Sequence, residues 1–578
     1  QFECMTEGQT APPRKRRRTA VAGQGHAEVA GVDPGLVRLL GSARVELWKR
    51  GAASVMAGLD EAPCSVQAGE TQRSVGVYAA AALEDEVACL NVGAAVVAIA
   101  AACQDAWAAV VVCCRARDPR SGVYCIAGSS KFSQGFQIWS MGKEHRPGRL
   151  AAVVCHDYGQ CTGMELAQAS TGEGWVGTLV ATFRDGAVRC FGIPVSLLQR
   201  EKALVTIPPL WERLPGTAAA RSAAGCGCLV LVGLADGDCL VYDIARRAVG
   251  DAAGGTRQDG AREKPVGVTD GGGKKAATGG QGRDAPGEKP SGATQGDGTK
   301  AGQSGAGQTA EGDGGRTQAA EAVWAPSPVR YHSRQAQAAA VTAAAWCGAR
   351  GRPQCFAVGT SRGSVQVWRV GSPLVPAANL VTNSCLEVTG LMWAARSLLG
   401  CVQGQWSYVY MFGGGKVERV GSRQYCWGQA WVGAWVTVGD SGVVEAQIAE
   451  KGEKKIGVHH ALAVGLPEDS LVPLSAPPAT SAAPTVLRDA FLARQAEELA
   501  SWRPWATGRR AAVTVWTAGQ VSAAVAPGFR GIPLVTCARL GDRLVVGTLA
   551  GLVVEHRVAL PEGRSCLRKG RRSKKHPD

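Results

Sequence analysis

The stretch Phe356 to Val370, FAVGTSRGSVQVWRV, decides how this chain is read. Phe356, Ala357 and Val358 are strand-like. Gly359 to Gly363 form a short polar turn, in which glycine supplies positive φ without steric cost. Val365, Val367 and Trp368 then resume with the alternation of a half-buried strand. One hairpin means little, but this one recurs. Val232 to Tyr242 reads VGLADGDCLVY and Val546 to His556 reads VGTLAGLVVEH, so the glycine pairs 233/237, 359/363 and 547/551 share one spacing. Looser copies are Val438 to Gln447 (VGDSGVVEAQ) and Val180 to Phe191 (VATFRDGAVRCF), and Gly135 to Met141 (GFQIWSM) is a further strand end. Recurring strand–turn–strand units that cannot bury both faces alone and must stack on their neighbours indicate a β-propeller.

The expected fold is therefore all-β, a WD-repeat-like propeller over residues 31–558. Seven blades are expected, with six or eight left open by weak first and fifth segments. They span about Val87–Met141, Leu150–Pro194, Leu204–Ile244, Ala322–Val370, Cys385–Phe412, Gln424–Ile448 and Ala511–Val558. Asp185-Gly186 is a strong hairpin turn within the second. Val45 to Trp48 (VELW) is expected to pair with a late strand and close the ring, and residues 51–86 show no clear pattern. Residues 248–320 contain almost no large apolar side chain and cannot bury enough surface to offset their ordering entropy, so they read as a flexible Gly-rich loop between blades. Residues 465–505 read as a Pro/Ala-rich loop followed by a helix over 485–502, with Thr485 as N-cap.

The net charge of +15 is concentrated at the ends. One run is Arg14, Lys15, Arg16, Arg17 and Arg18, within a disordered N-terminal tail over residues 1–30. The other, in a tail over 559–578, holds Arg564, Arg568, Lys569, Arg571, Arg572, Lys574 and Lys575. Two such runs point to nuclear import or loose phosphate contacts; the plainer reading is a solvated tail. The twenty cysteines show no CxxC pair and no metal-ligand spacing. With no signal peptide and no apolar run long enough to cross a bilayer, they read as small buried hydrophobes in a reducing compartment, and no membrane partner is expected. The natural start is expected at Met5 or upstream of Gln1.

Catalytic constellations are absent. Gly225 and Gly227 precede a strand, the wrong order for a dinucleotide fingerprint, and GGGKK at Gly271 to Lys275 lacks the spacing of a phosphate-binding loop. No nucleophile elbow or HExxH occurs. His156-Asp157 reads as a turn-stabilising pair at a blade edge, with a general base as the alternative. His459-His460 lies in a loop-like stretch and reads as inert. Trp427, Trp431 and Trp435 read as core, with a stacking platform as the alternative. No enzyme activity, cofactor or metal is expected.

The order GFQIWSM, then HDYGQCTGMEL, then GWVGTLVATFRDGAVRCFGIP resembles the WD-repeat subunit of TFIIIC, the general transcription factor of RNA polymerase III. The matching positions are Gln137, Ile138 and Trp139; His156, Asp157 and Gly159; Gly177, Thr178 and Leu179; Asp185 and Gly186; and Ile193-Pro194. Thr342 to Val370, with Trp346 before the glycine hairpin and Trp368 in its second strand, resembles a later blade of that family. The similarity covers about residues 133–195 and 340–370. It implies a nuclear, non-catalytic scaffold in the half of TFIIIC that recognises the B-box of tRNA genes. The implied partners are other TFIIIC subunits, chiefly the large B-box-binding subunit, with DNA contacted indirectly or through the basic tails. A WD-repeat adaptor in another nuclear assembly, in ribosome biogenesis or chromatin, is the alternative.

Overall fold

The computed structural model describes residues 34–48, 63–84, 86–115, 134–142, 147–168, 174–216, 218–245, 328–332, 339–347, 353–380, 386–395, 397–412, 416–422, 424–449, 456–466, 513–518, 520–521 and 530–558, all within one compact unit. The described strands form seven sheets. Their innermost strands are Val96–Gln104, Cys161–Gln168, Ala220–Cys226, Val341–Trp346, Val388–Ala395, Cys426–Trp431 and Leu534–Leu540. Each packs on the next, and the last returns to the first. This closed ring makes the chain an all-β propeller. A short helix, Pro34–Gly41, buries Leu39 and Leu40 against the second sheet and its surroundings, including Trp175, Leu210 and Trp211.

The opening hairpin is the middle pair of strands in the fourth sheet: Cys355–Thr360 pairs antiparallel with Val365–Arg369, and Ala378–Leu380 adds the outer edge. Its two glycines do different work. Gly363 carries φ +83 and makes the turn, as do Gly237 and Gly551 at φ +95 and +77. Gly359 does not turn. A Cβ there would collide with Val388 at the start of the next innermost strand. Gly233 and Gly547 stand in the same relation to Val341 and Val96. The shared spacing thus encodes one turn and one close approach between neighbouring sheets.

Several strands belong elsewhere than their sequence position implies. Val45–Trp48 does not close the ring. Glu46–Leu47 is exposed and pairs with Ala203–Thr206 at the rim of the first sheet. Closure comes from the start of the expected first blade, with a strand of the patternless stretch 51–86 added beside it. Val87–Asn91, buried at all five positions, pairs antiparallel with Leu552–Arg557 of the seventh sheet, and Ala80–Glu84 adds outside it. Cys64–Ala68 pairs in parallel with Val513–Thr517, so that strand extends the sixth sheet instead of opening the seventh. Arg149–His156 is the partner of Gln134–Ser140 in the first sheet. Its run is buried on both faces, so no alternation indicated which neighbour it served. Ala203–Thr206 likewise joins the first sheet, pairing in parallel with Arg149–His156.

The long Gly-rich segment does not separate two sheets. Val329–Tyr331, after it, pairs with Cys239–Asp243, before it, so residues 246–327 connect the third and fourth strands of one sheet. An edge strand needs only one partner, and loop-closure entropy grows slowly with length, so a long connection is tolerated there. His459 and His460 lie in strand Ile456–Leu466, not in a loop; they face Ala446 and Glu445 across the ladder. The stretch 485–502 and the basic runs at Arg14–Arg18 and Arg564–Lys575 lie outside the described residues.

Candidate functional site

Every innermost strand carries a register shift at the same place. The extra residue is Val97, Thr162, Arg221, Thr342, Thr389, Trp427 or Val535, and all seven line one central channel. A β-bulge bends its strand and re-aims a side chain, and here it does so around a ring. The residue after each bulge is small: Ala98, Gly163, Ser222, Ala343, Gly390, Gly428 or Thr536. The channel these strands enclose has a volume of about 620 Å³.

Hydroxyls strap the ring together. Ser222 Oγ donates to the Val341 carbonyl (3.2 Å), Thr342 Oγ1 to that of Val388 (2.8 Å) and Thr389 Oγ1 to that of Cys426 (2.9 Å). Each bond runs from one sheet to the next, so these polar groups are engaged by the scaffold. Two charged side chains line the channel, Arg221 in the bulge ring and Glu165 three residues beyond the bulge of its own strand. Glu165 Oε2 accepts from the Gly225 N–H at 3.1 Å. Enclosure by protein raises its carboxyl to about 7, and the Gly225 bond pulls the other way. The side-chain surface stays open to the channel, so channel water moderates that rise.

The second cluster is built around His156. The ring is buried at the end of its strand, 4.8 Å from Phe136, 5.3 Å edge-on from Phe183, and stacked at 5.5 Å on Tyr158. Arg189 covers the other rings, with its guanidinium 4.1 Å from the Tyr158 centroid and 4.9 Å from that of Phe183. Its Nη2 bonds Asp185 Oδ2 (2.8 Å) and Glu212 Oε1 (2.7 Å). Burial, then the Arg189 charge, push His156 down to about 3, against weaker pulls from Asp157 and Asp185. A group held neutral this firmly serves packing between the first two sheets and is poorly placed to act as a base near neutral pH.

This burial has a pH signature. In the unfolded chain the histidine binds its proton near pH 6.5, whereas the folded chain refuses it until about pH 3, so stability falls as pH drops through that window. The slope from one such group approaches about 1.4 kcal/mol per pH unit. His556, also lowered by burial, adds a slope of the same sign. Urea melts between pH 7.5 and 5 are expected to show His156→Asn losing less stability on acidification than the unaltered chain. Parallel curves would remove His156 from this role.

The remaining family-motif positions are structural. Gln137 is buried; its Nε2 donates to the Val92 carbonyl (2.8 Å), and its Oε1 accepts from Trp139 Nε1 (3.2 Å). Gly159 and Gly186 hold φ +79 and +82. Asp185 caps its own turn by accepting from the Ala187 N–H at 2.9 Å. Asp157 is exposed beside the buried His156. Trp346 donates to the Ala224 carbonyl of the preceding sheet (3.0 Å), and Trp368 is buried edge-on to Tyr331. Trp427 and Trp435 are buried and Trp431 packs on Trp435, which favours core over a stacking platform, although Trp427 also reaches the channel wall. Sequence reading missed Arg189, Tyr158, Glu212, Glu165 and Arg221. An arginine amid VRCF was a visible signal; the channel residues had none, because the bulge that aims them appears only with strand register.

Among the described residues no group of three or more His, Cys, Asp or Glu side chains could hold a metal ion, and no helix is long and apolar enough to cross a membrane. No family model matches the sequence, and no curated protein matches it. Solved structures similar to it include a chain of "Crystal Structure of Mitotic Checkpoint Complex", 8% identical with a TM-score of 0.42, covering 82% of this chain and 95% of that one. A chain of "COPII on membranes, outer coat vertex" is 7% identical with a TM-score of 0.41, covering 82% and 88%. A chain of "The structure of the COPII coat assembled on membranes" is 7% identical with the same score of 0.41, covering 82% and 49%.

Proposed function

We propose that this chain is a non-catalytic propeller scaffold that binds protein partners, and that each of its seven sheets is one blade. The observation that carries the reading is how the chemically capable groups are used. His156, Asp185, Gln137 and Trp346 are committed to packing, turns and inter-sheet bonds, which leaves the rim and the channel as binding surfaces. The assembly we assign it to is TFIIIC, in the nucleus, beside the large subunit that recognises the B-box for RNA polymerase III. That assignment is supported by the resemblance over residues 133–195 and 340–370 and by the two basic runs. Affinity purification of the tagged full chain with mass spectrometry tests it. Other TFIIIC subunits are expected in the eluate. Ribosomal precursors or histone-modifying subunits alone would replace the assignment with an adaptor role in one of those assemblies.

A further inference from the structure

The channel is electrically lopsided. The chain that lines it from the third sheet has Arg221 in the bulge ring, and four residues on, Gly225 donates to Glu165 from the adjacent sheet. At about 3.3 Å per residue this sets the backbones of Arg221 and Gly225 roughly 13 Å apart along the strand. At the level of Glu165, three residues past each bulge, Ala345 and Met392 line the channel, while Ala100, Ala224 and Ala430 are buried. One carboxylate therefore stands in a wall of small and apolar groups. Among the described residues it accepts one hydrogen bond, from the Gly225 N–H to Oε2, and none reaches Oε1. The nearby hydroxyls of Ser222, Thr342 and Thr389 are already engaged between sheets.

We propose that the channel is a binding site for one cationic side chain, a lysine or arginine on an extended partner segment, received by the Glu165 carboxylate from the mouth opposite Arg221. This rests on the reading of the propeller as a protein-binding scaffold but not on its assignment to TFIIIC. The described lining sets the polarity: a cation approaching past Arg221 meets like charge before it reaches the carboxylate, and among the described residues no other charged side chain lines the channel. A volume of about 620 Å³ exceeds one side chain, so a few flanking residues enter with it. Enclosure strengthens the pairing relative to open water.

The site is also pH-dependent. The bound cation needs the ionised carboxylate, so affinity rises with pH through the carboxyl titration, which enclosure lifts above the ordinary carboxylate range, and then levels off. The other titratable group facing Glu165 is the Cys226 thiol, raised by burial to about 11. The thiol stays neutral over this range, and the adjoining stretches Val97–Ala101 and Trp175–Phe183 carry no ionisable side chain.

The test uses the full chain and two blocked pentapeptides, Ac-Ala-Ala-Lys-Ala-Ala-NH2 and its norleucine counterpart, titrated calorimetrically at pH 6 and 8. The lysine peptide is expected to bind about tenfold more tightly than the norleucine peptide at pH 8, the order of one charge-assisted contact, with most of that preference lost at pH 6. Glu165→Gln should abolish the preference at both pH values, and Arg221→Gln should preserve it. Equal binding of the two peptides, absence of binding by either at millimolar concentration, or an unchanged preference in Glu165→Gln overturns the proposal. The peptide and pH comparisons on the unaltered protein need no variant to fold. Their failure leaves the co-purification result standing, and the reverse also holds.

Discussion

A chain beginning at Val92 is expected to fail to fold. Four of the five described strands upstream of that point, Cys64–Ala68, Thr71–Val75, Ala80–Glu84 and Val87–Asn91, complete the sixth and seventh sheets. Their removal exposes the edges of Val513–Thr517 and Leu552–Arg557, each of which pairs with one of them. It also removes Val66, Val75, Leu83, Val87 and Leu90, all nearly inaccessible to solvent. Full burial of such a side chain contributes about 1.5–3 kcal/mol. Five of them supply on the order of 10 kcal/mol, an upper figure since unfolded chains already bury some surface. That is comparable with the whole stability of a typical domain, about 5–15 kcal/mol. The truncated chain is expected in the aggregate fraction on size exclusion, without a cooperative thermal transition. A monomer melting within a few degrees of the full chain would show that this stitching is dispensable. A peptide covering residues 60–92, supplied in trans, should restore the transition.

The same segment shows why the chain was only partly legible. The three best hairpins announced themselves because turn glycines and Val-rich runs are local signals. Residues 64–91 form two hairpins, Cys64–Ala68 with Thr71–Val75 and Ala80–Glu84 with Val87–Asn91, but neither carries the repeated Val-Gly spacing. Cys64–Ala68 does alternate buried and half-buried positions, but with small side chains that leave a faint pattern. Cys64–Ala68 and Val87–Asn91 also pair with strands more than 400 residues away, and that tertiary pairing, which decides the sheets they join, leaves no local signal. The site followed the same rule. His156 was visible as a histidine beside a carboxylate, yet its role is set by Phe136, Phe183 and Arg189, which arrive from other segments. Glu165 looked like any strand glutamate. Only a ring of seven bulges in common register reveals that it faces the channel.

Gly359→Val is expected to cost about 3 kcal/mol, the upper end of the range for overpacking a well-filled core. The reason lies across the sheet boundary. A Cβ on Gly359 meets both Cγ atoms and the Cβ of Val388. Val388 is itself fully buried, and it begins an innermost strand whose Thr389 is tied to the Cys426 carbonyl at 2.9 Å. Neither side can give way without shifting the backbone that lines the channel. Gly363→Ala, four residues on, is expected to cost less, about 1–2 kcal/mol, since its penalty is one residue held at φ +83. The two glycines of the repeated spacing are thus distinguishable by experiment. Val388→Ala in the Gly359→Val background should recover part of the loss, because it empties the space the new side chain occupies, whereas it should recover none of the Gly363→Ala loss. Urea denaturation of the two single glycine variants and the two double variants, referred to Val388→Ala alone, measures that coupling. Purely additive effects at Gly359 would mean that the first glycine, like the second, serves only its own hairpin, and that contact between neighbouring sheets is not what the repeat encodes.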